Sequence, residues 1–271
     1  MAPIVVPRNA SWPAYIADNL PTVLNAKFGP TGPTGWSPRL RQRFGYCTPD
    51  ELYEAAVCAL VNAETVWLDV GCGRDMFPSN LATAAMLAQR CRLLVGLDPS
   101  DNIEENTLLH ERVRCTIEQY RPERQHDLIT MRMVAEHIEA PEAAVAALSD
   151  MLRPGGRVVL YTVRKWSPAA VAAALTPMAV HHRVKRVLWD TAERDTFPTF
   201  YRMNTRDTLR RLFAACGCIE ESFLRLDDTR SFAKWKSLAT LELSLWRLLQ
   251  RLGVAYPEAC LMGIYRKASR G

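Results

Sequence analysis

Val66-Trp67-Leu68-Asp69-Val70-Gly71-Cys72-Gly73 is an apolar run that ends in an acid and a glycine-rich turn. Leu94-Val95-Gly96-Leu97-Asp98 is a second apolar run, and it too ends in an acid. Both read as buried strands of an open α/β sheet. Glycines after the first strand let the backbone come close to a ligand, and a short carboxylate at the end of the second can accept hydrogen bonds from ribose hydroxyls. The pair points to a nucleoside site.

A dinucleotide site needs a third glycine, so that the next helix packs tightly and aims its N-terminus at a pyrophosphate. Here Gly73 is followed by Arg74-Asp75-Met76-Phe77-Pro78. Asp75 would repel a pyrophosphate, and Pro78 delays the helix. There is also no Tyr-x-x-x-Lys pair of the kind a dehydrogenase uses as a proton relay. A nucleoside cofactor without phosphate fits better, and S-adenosylmethionine is the common one. A Gly-x-Gly turn alone also occurs for backbone reasons, so the flanking pattern decides.

Outward from this stretch, strands are expected near Arg92–Leu97, Val113–Ile117, Asp127–Met131 and Arg157–Val163, with helices between them. Thr48-Pro49-Asp50-Glu51 opens a helix that runs to about Asn62: Thr48 and Glu51 form a capping box and Pro49 suits the first turn. An amphipathic helix over Pro141–Leu152 leads into a turn at Arg153-Pro154-Gly155-Gly156. Further on, Thr205–Ala215 reads as a helix, Ile219–Leu226 and Cys260–Arg266 as strands, and Phe232–Leu252 as a long helix. Alternation of strand and helix predicts a parallel sheet with helices on both faces. The segment before Tyr46 has no clean apolar period and is broken by Gly29-Pro30-Thr31-Gly32-Pro33-Thr34-Gly35-Trp36, so it reads as an extension with a loop that can fold back over a site.

With these motifs in this order, the chain resembles the class I S-adenosylmethionine-dependent methyltransferases of the small-molecule type. The residues that carry the resemblance are Asp69-Val70-Gly71-Cys72-Gly73, Asp98, Ala135-Glu136-His137-Ile138 and Leu152-Arg153-Pro154-Gly155-Gly156, within roughly Val61–Val163. The resemblance implies a Rossmann-like, seven-stranded, mostly parallel sheet whose last strand is antiparallel, and S-adenosyl-L-methionine as cofactor. It puts Gly71, Cys72 and Gly73 against the cofactor, with Asp69 supporting their loop. Asp98 would take the ribose hydroxyls, Pro99 and Ser100 would border the adenine, and Glu118 or Gln119 would face its amino group. Met131 and Arg132 would lie near the methionine end. His137 is the candidate general base, histidine being the side chain that most readily exchanges a proton near neutrality, or else a brace for its loop; Glu136 would orient it.

The resemblance divides the chain into an N-terminal extension or lid over residues 1–47 and a catalytic domain over 48–271, with helical insertions around 167–205 and 230–255. Trp36, Tyr46, Trp166, Tyr201 and Arg202 are the candidate acceptor-binding residues. The segment Thr196–Asn204 is dense in aromatics, and His181-His182 with Lys185 forms a second polar cluster. The acceptor is expected to be a small molecule methylated on oxygen or nitrogen. A nucleic-acid methyltransferase or a non-catalytic S-adenosylmethionine-binding protein is the alternative. Against nucleic acid stand the mild net charge of +5, the short basic stretch Arg39–Phe44, and the sequence Arg132-Met133-Val134-Ala135 where base-amino methyltransferases carry Asn/Asp-Pro-Pro-Tyr/Phe. The eight cysteines are scattered, without metal-ligand spacing, as in proteins of a reducing compartment. No apolar run is long enough to span a bilayer and no signal peptide is evident, so a cytoplasmic protein is expected.

Overall fold

The computed structural model describes residues 13–168, 171 and 198–269. Its core is set by strands whose alternate residues feed two separate hydrophobic clusters. In β1 (Val66–Val70), β2 (Leu93–Leu97), β4 (His126–Arg132) and β5 (Leu152–Val163), Trp67, Leu94, Leu128, Val159 and Tyr161 enter one cluster. Leu68, Val95, Ile129, Val158 and Leu160 enter the other. Because both faces are covered, the strands are apolar almost without interruption, as buried parallel strands are. Helices α1 (Ala14–Phe28), α3 (Pro49–Leu60) and α4 (Leu81–Arg90) cover the first face. Helices α5 (Pro141–Met151) and α6 (Arg206–Ala215) cover the second.

The seven strands run in the order β3-β2-β1-β4-β5-β7-β6, with β3 at Glu111–Val113, β6 at Cys218–Asp227 and β7 at Ala259–Lys267. Strands β1 to β5 pair in parallel. β7 lies antiparallel between β5 and β6. This is the expected Rossmann-like sheet with its last strand antiparallel. Local signals hold where they were specific: the Thr48 Oγ1 accepts from the Glu51 N–H at 3.3 Å while Glu51 Oε2 accepts from the Thr48 N–H at 2.9 Å, completing the capping box. At α6, the Thr205 hydroxyl oxygen accepts from the Thr208 N–H at 3.3 Å.

The structure corrects several expectations. β3 ends at Val113 rather than starting there, so Cys115, Thr116 and Ile117 leave the sheet. No α-helix lies between β2 and β4; a 3-10 turn at Asp101–Glu105 serves instead. The Arg153–Gly156 segment is not a separate turn but an irregularity within β5. Leu152 pairs with His126 and Arg157 with Leu128, so four residues are accommodated opposite one, with Gly155 at φ +79°. The long helix α7 spans Lys236–Leu252, starting later than Phe232.

The segment before Tyr46 is not mainly loop. It forms α1 and α2 (Trp36–Phe44), and Ile16, Leu20 and Val23 of α1 are buried at helical spacing. That narrow stripe is easily missed in a sequence because Pro21 sits inside the helix. Lys27 then ties α1 to α3 through Glu51 at 3.0 Å. Among the described residues no helix is long and apolar enough to cross a membrane.

Candidate functional site

The carboxyl ends of the parallel strands, where open α/β sheets bind ligands, carry the glycine loop. Gly71 has φ +68°, and a Cβ there would lie 2.2 Å from Val134 Cγ2, so only glycine fits. Its N–H donates to the Leu97 carbonyl at 2.7 Å, which clamps the loop onto the end of β2. Gly73 also has a positive φ, +48°, but a Cβ there would meet nothing within 4 Å. Its neighbourhood is open space that a ligand can enter.

Asp98 fastens the same loop. One oxygen, Oδ2, accepts from the Gly73 N–H at 3.0 Å. The other, Oδ1, accepts from the Ser100 N–H at 2.8 Å and from its hydroxyl at 2.7 Å. An ionised carboxylate offers about four lone-pair sites, so these three bonds leave acceptor capacity for a ribose hydroxyl. Asn106 supports the loop from below, its Nδ2 donating to the Gly73 carbonyl at 3.2 Å.

Asp69 is buried beneath the loop and accepts from the Thr130 hydroxyl at 2.6 Å. Burial pushes its carboxyl up to about 7, against the opposing pull of the Thr130 hydrogen bond and the Arg132 charge. Cys72 is also buried: its sulfur would be 2.8 Å from a Cβ on Gly96, so the thiol fills the gap over β2 instead of facing outward.

A cavity of about 730 Å³ opens here. Of the residues singled out in the sequence, Gly71, Asp98, Pro99, Glu118 and His137 line it. Cys115, Thr116, Ile117, Met133, Val134, Ile138, Pro198 and Phe200 complete most of its wall. Cys115 to Ile117 were assigned to a strand from sequence, and ending β3 early is what frees them to form this wall. Gln119 does not line the cavity; its Oε1 accepts from the Thr116 N–H at 3.4 Å.

Met131 and Arg132 do not line the cavity. Met131 is fully buried in the core, and the next two residues, Met133 and Val134, take the place expected for them. Met133 stands at φ +52° with its N–H still bonded to the Tyr161 carbonyl at 2.8 Å, so the chain turns sharply as it leaves β4. Arg132 instead reaches Asp50 of α3, with Nε at 3.2 Å and Nη2 at 2.7 Å. Arg230 pairs with the other oxygen of Asp50. Burial alone would raise the Asp50 pKa, but Arg230 and Arg132 outweigh it and bring it down to about 2.

The Glu136-His137 step is built with care. His137 Nδ1 lies 2.8 Å from the Pro198 carbonyl oxygen. A carbonyl can only accept, so Nδ1 carries the proton and, in the neutral ring, Nε2 carries the lone pair. Glu136 is buried and does not line the cavity. Its Oε2 accepts from the Thr162 hydroxyl at 2.7 Å, and its carbonyl accepts from the N–H groups of Phe200 at 2.7 Å and Tyr201 at 3.2 Å. Asn204 Nδ2 in turn donates to the Thr162 oxygen at 2.7 Å. These bonds tie the Pro198–Asn204 segment to β5 and to the turn that holds His137.

None of the candidate acceptor residues lines the cavity. Trp36 begins α2 and Trp166 is exposed. Tyr46 is buried edge-on against Trp246, its hydroxyl donating to the Asp227 carbonyl at 2.9 Å and accepting from the Thr229 N–H at 3.1 Å. It borders a separate cavity of about 80 Å³ between α1, α2 and the start of α3. Arg202 donates to the Glu139 carbonyl at 2.5 Å and covers the Phe200 ring, and Tyr201 is held by Glu136. From this segment it is Pro198 and Phe200 that line the cavity. His181, His182, Lys185, Thr196 and Phe197 lie outside the described residues.

The cavity's volume falls within the about 300–1,000 Å³ of small-molecule sites. With the open space at Gly73 and the acceptor capacity of Asp98, its residues fit a nucleoside cofactor that has no pyrophosphate. Residues 39–219, more than half of the chain, match the methyltransferase-domain family. Over 104 residues the chain is 33% identical to a ubiquinone biosynthesis O-methyltransferase of Shewanella halifaxensis, a match covering 36% of this chain and 43% of that one. Over 147 residues it is 31% identical to a ubiquinone biosynthesis O-methyltransferase of Xanthomonas campestris, covering 48% and 59%. The chain thus spans about half the length of these curated relatives. Among solved structures, the cyclase SpnF superposes with a TM-score of 0.50 at 15% identity, covering 82% of this chain and 81% of that one, a likeness of fold alone. A glycine loop built for close approach, an acid at the end of β2 and a match over most of the sheet converge on one assignment: this chain belongs to the methyltransferase-domain family and has the sheet of the class I S-adenosylmethionine-dependent methyltransferases.

Proposed function

We propose that the enzyme methylates an oxygen or nitrogen, with oxygen favoured, of a small and partly apolar acceptor, and that His137 is the general base. The observation that carries this reading is the position of His137 in the cavity wall with Nδ1 committed to the Pro198 carbonyl at 2.8 Å. That bond selects the tautomer whose Nε2 can take a proton. Support for a small acceptor comes from the size of the cavity and from the apolar Ile117, Met133, Val134, Ile138 and Phe200 around it. Support for oxygen comes from the O-methyltransferase names of the relatives.

In this reading Gly71, Gly73, Asp98, Pro99 and Glu118 hold the cofactor, and Asp69, Cys72 and Ser100 shape the loop from behind. S-adenosylmethionine, when bound, supplies a methyl group already activated by its positive sulfur. The protein has then to hold the acceptor in line and exclude water, and positioning of this kind is worth about 7–11 kcal/mol of barrier. His137 takes the proton from the acceptor hydroxyl or amine as the nucleophile attacks, a step worth typically about 10²–10⁴-fold. Glu136 touches neither ligand and acts as a positioning residue through Thr162 and the Phe200–Tyr201 backbone.

The test is a screen of hydroxylated and aminated aromatic and lipid-like acceptors for release of S-adenosylhomocysteine, followed by His137→Gln on any substrate found. A fall in kcat of about a hundredfold or more, with cofactor affinity unchanged, is expected. Full activity in the variant would remove His137 from the chemistry.

A further inference from the structure

Helix α7 has two apolar faces. Ala239, Leu243 and Trp246 are buried, and Leu243 and Trp246 pack with Tyr46 and Tyr256. Leu238, Leu241, Leu245, Leu248 and Leu252 recur at intervals of three and four residues, so they form one stripe along the helix. All five are exposed, Leu241 at 67% and Leu252 at 65%. Trp235 and Phe232, just before the helix, are exposed as well. A contiguous apolar stripe of this length marks an interaction surface more often than a solvated face.

Charge decides what that surface fits. On α7 Lys236, Arg247 and Arg251 occupy the sector between the leucine stripe and the buried side, with Arg251 nearest the stripe. The one acid of the helix, Glu242, is turned inward, accepting from the Tyr256 hydroxyl at 2.9 Å and the Phe232 N–H at 3.3 Å. Helix α2 packs beside α7 through Leu40 and Phe44 and brings Arg39, Arg41 and Arg43 with no acid at all. The leucines are thus set among cations whose charge no acid of either helix offsets at the surface. A second copy of the chain would meet this face with the same cations, and like charges brought together are repulsive. An anionic lipid surface offers both an apolar layer and the opposite charge. Leucines and aromatics on one face, basic residues at its edge and too short an apolar run to span are the features of a helix that lies in the membrane interface.

We propose that the α7 leucine face, with the arginines of α7 and α2, docks the enzyme on anionic phospholipid surfaces. The docking is independent of which acceptor the enzyme uses. It rests on none of the residues placed at the cofactor cavity.

The test is co-sedimentation of the full chain with vesicles of phosphatidylcholine alone and with a third of the lipid replaced by phosphatidylglycerol. Two variants accompany it: Leu241→Gln with Leu248→Gln, and Arg247→Glu with Arg251→Glu. The wild-type chain is expected to bind the anionic vesicles, more weakly as salt rises, and each variant to lose about tenfold or more in partition. Both variants should keep the wild-type thermal midpoint and S-adenosylhomocysteine affinity. Equal binding to neutral vesicles, or none to either, overturns the proposal. So does a wild-type dimer that becomes monomeric in the leucine variant without vesicle binding, which would assign the face to a second copy. A large loss of stability in the leucine variant, without vesicle binding by the wild type, would assign it to a segment of the chain itself.

Discussion

Replacing Asp50 by Asn tests the ion cluster that ties the N-terminal helices to the end of β4. Asp50 sits in the first turn of α3, buried, and receives Arg132 at 2.7 Å together with Arg230. Its pKa is brought down from 3.8 to about 2 by those two charges in spite of burial. At about 1.4 kcal/mol per unit, the ionised form is favoured in the folded state by about 2–3 kcal/mol. Asn keeps the shape and removes the charge, leaving two half-buried guanidinium groups facing a neutral amide. Loss of one partner from a buried pair costs about 3–5 kcal/mol; Arg230 keeps Asp228 at 2.7 Å, so the lower end is expected. For a chain of this size, about 3 kcal/mol corresponds to a drop of roughly 6–12 °C in Tm.

The assay is urea unfolding of both proteins at pH 7 and at steps down to pH 3. A depressed carboxyl contributes its stability above its unfolded pKa and loses it as pH falls through the folded value. The gap between wild type and variant should therefore be constant from pH 7 to about 5 and narrow below about 4. A loss under about 1 kcal/mol at pH 7, or a gap that does not change with pH, would refute the assignment of this cluster as the tie. Arg132 directly precedes Met133 and Val134, so weaker binding of S-adenosylhomocysteine should accompany the loss.

The two loop glycines separate packing from ligand approach. Gly71→Ala drives a methyl to 2.2 Å from Val134 and should destabilise the fold by about 2 kcal/mol or more, read as a fall in urea midpoint. Gly73→Ala meets no atom of the protein, so it should lose only about 1–2 kcal/mol for its positive φ while cofactor affinity in calorimetry falls by far more. Equal affinities in the two variants would contradict the open space at Gly73. Asp69 and Glu54 both have carboxyls pushed up to about 7 by burial. An acid raised in the folded state stabilises below its unfolded pKa and loses that stability as pH rises through the folded value, so both favour the fold less from about pH 4 to 7. Asp69→Asn, which retains an acceptor for Thr130, should flatten the fall in Tm between pH 5 and 8; an unaltered pH slope would show that Asp69 does not titrate there. Asn204→Ala removes the amide that holds Thr162 beside Glu136 and should lower kcat with little change in cofactor affinity; an unchanged kcat would show that this network does not position the His137 turn.

The features legible in the amino-acid sequence were those set by a few neighbouring residues. Strands β1 and β4, the capping box at Thr48 and the glycine loop each carry their cause within a short stretch, so periodicity and residue type reveal them. Asp98 and His137 reach the cavity wall for a similar reason, since each follows a strand whose carboxyl end opens onto it. The cause of β3 is not local: Glu111, Arg112 and Val113 form a strand because β2 offers Val95, Gly96 and Leu97 beside them. Residues Cys115 to Ile117 look as strand-like in isolation, yet they have no such partner and become a cavity wall.

What tertiary structure alone decided is which side chains converge. Alternation along β4 sends Met131 into the core, and the turn at Met133 aims its successors at the cavity. Arg132 is drawn to Asp50, 82 positions away, because the buried Asp50 carboxylate needs a counter-charge wherever the fold supplies one. Phe200 reaches the cavity because the Glu136 carbonyl collects its N–H and that of Tyr201, a bond no local pattern announces. The sequence by itself determined the sheet, the cofactor and the turn that offers His137, since these rest on backbone conformation and residue type. The walls of the cavity and the leucine face of α7 were decided only when distant segments packed, since contact and exposure are properties of the assembled chain.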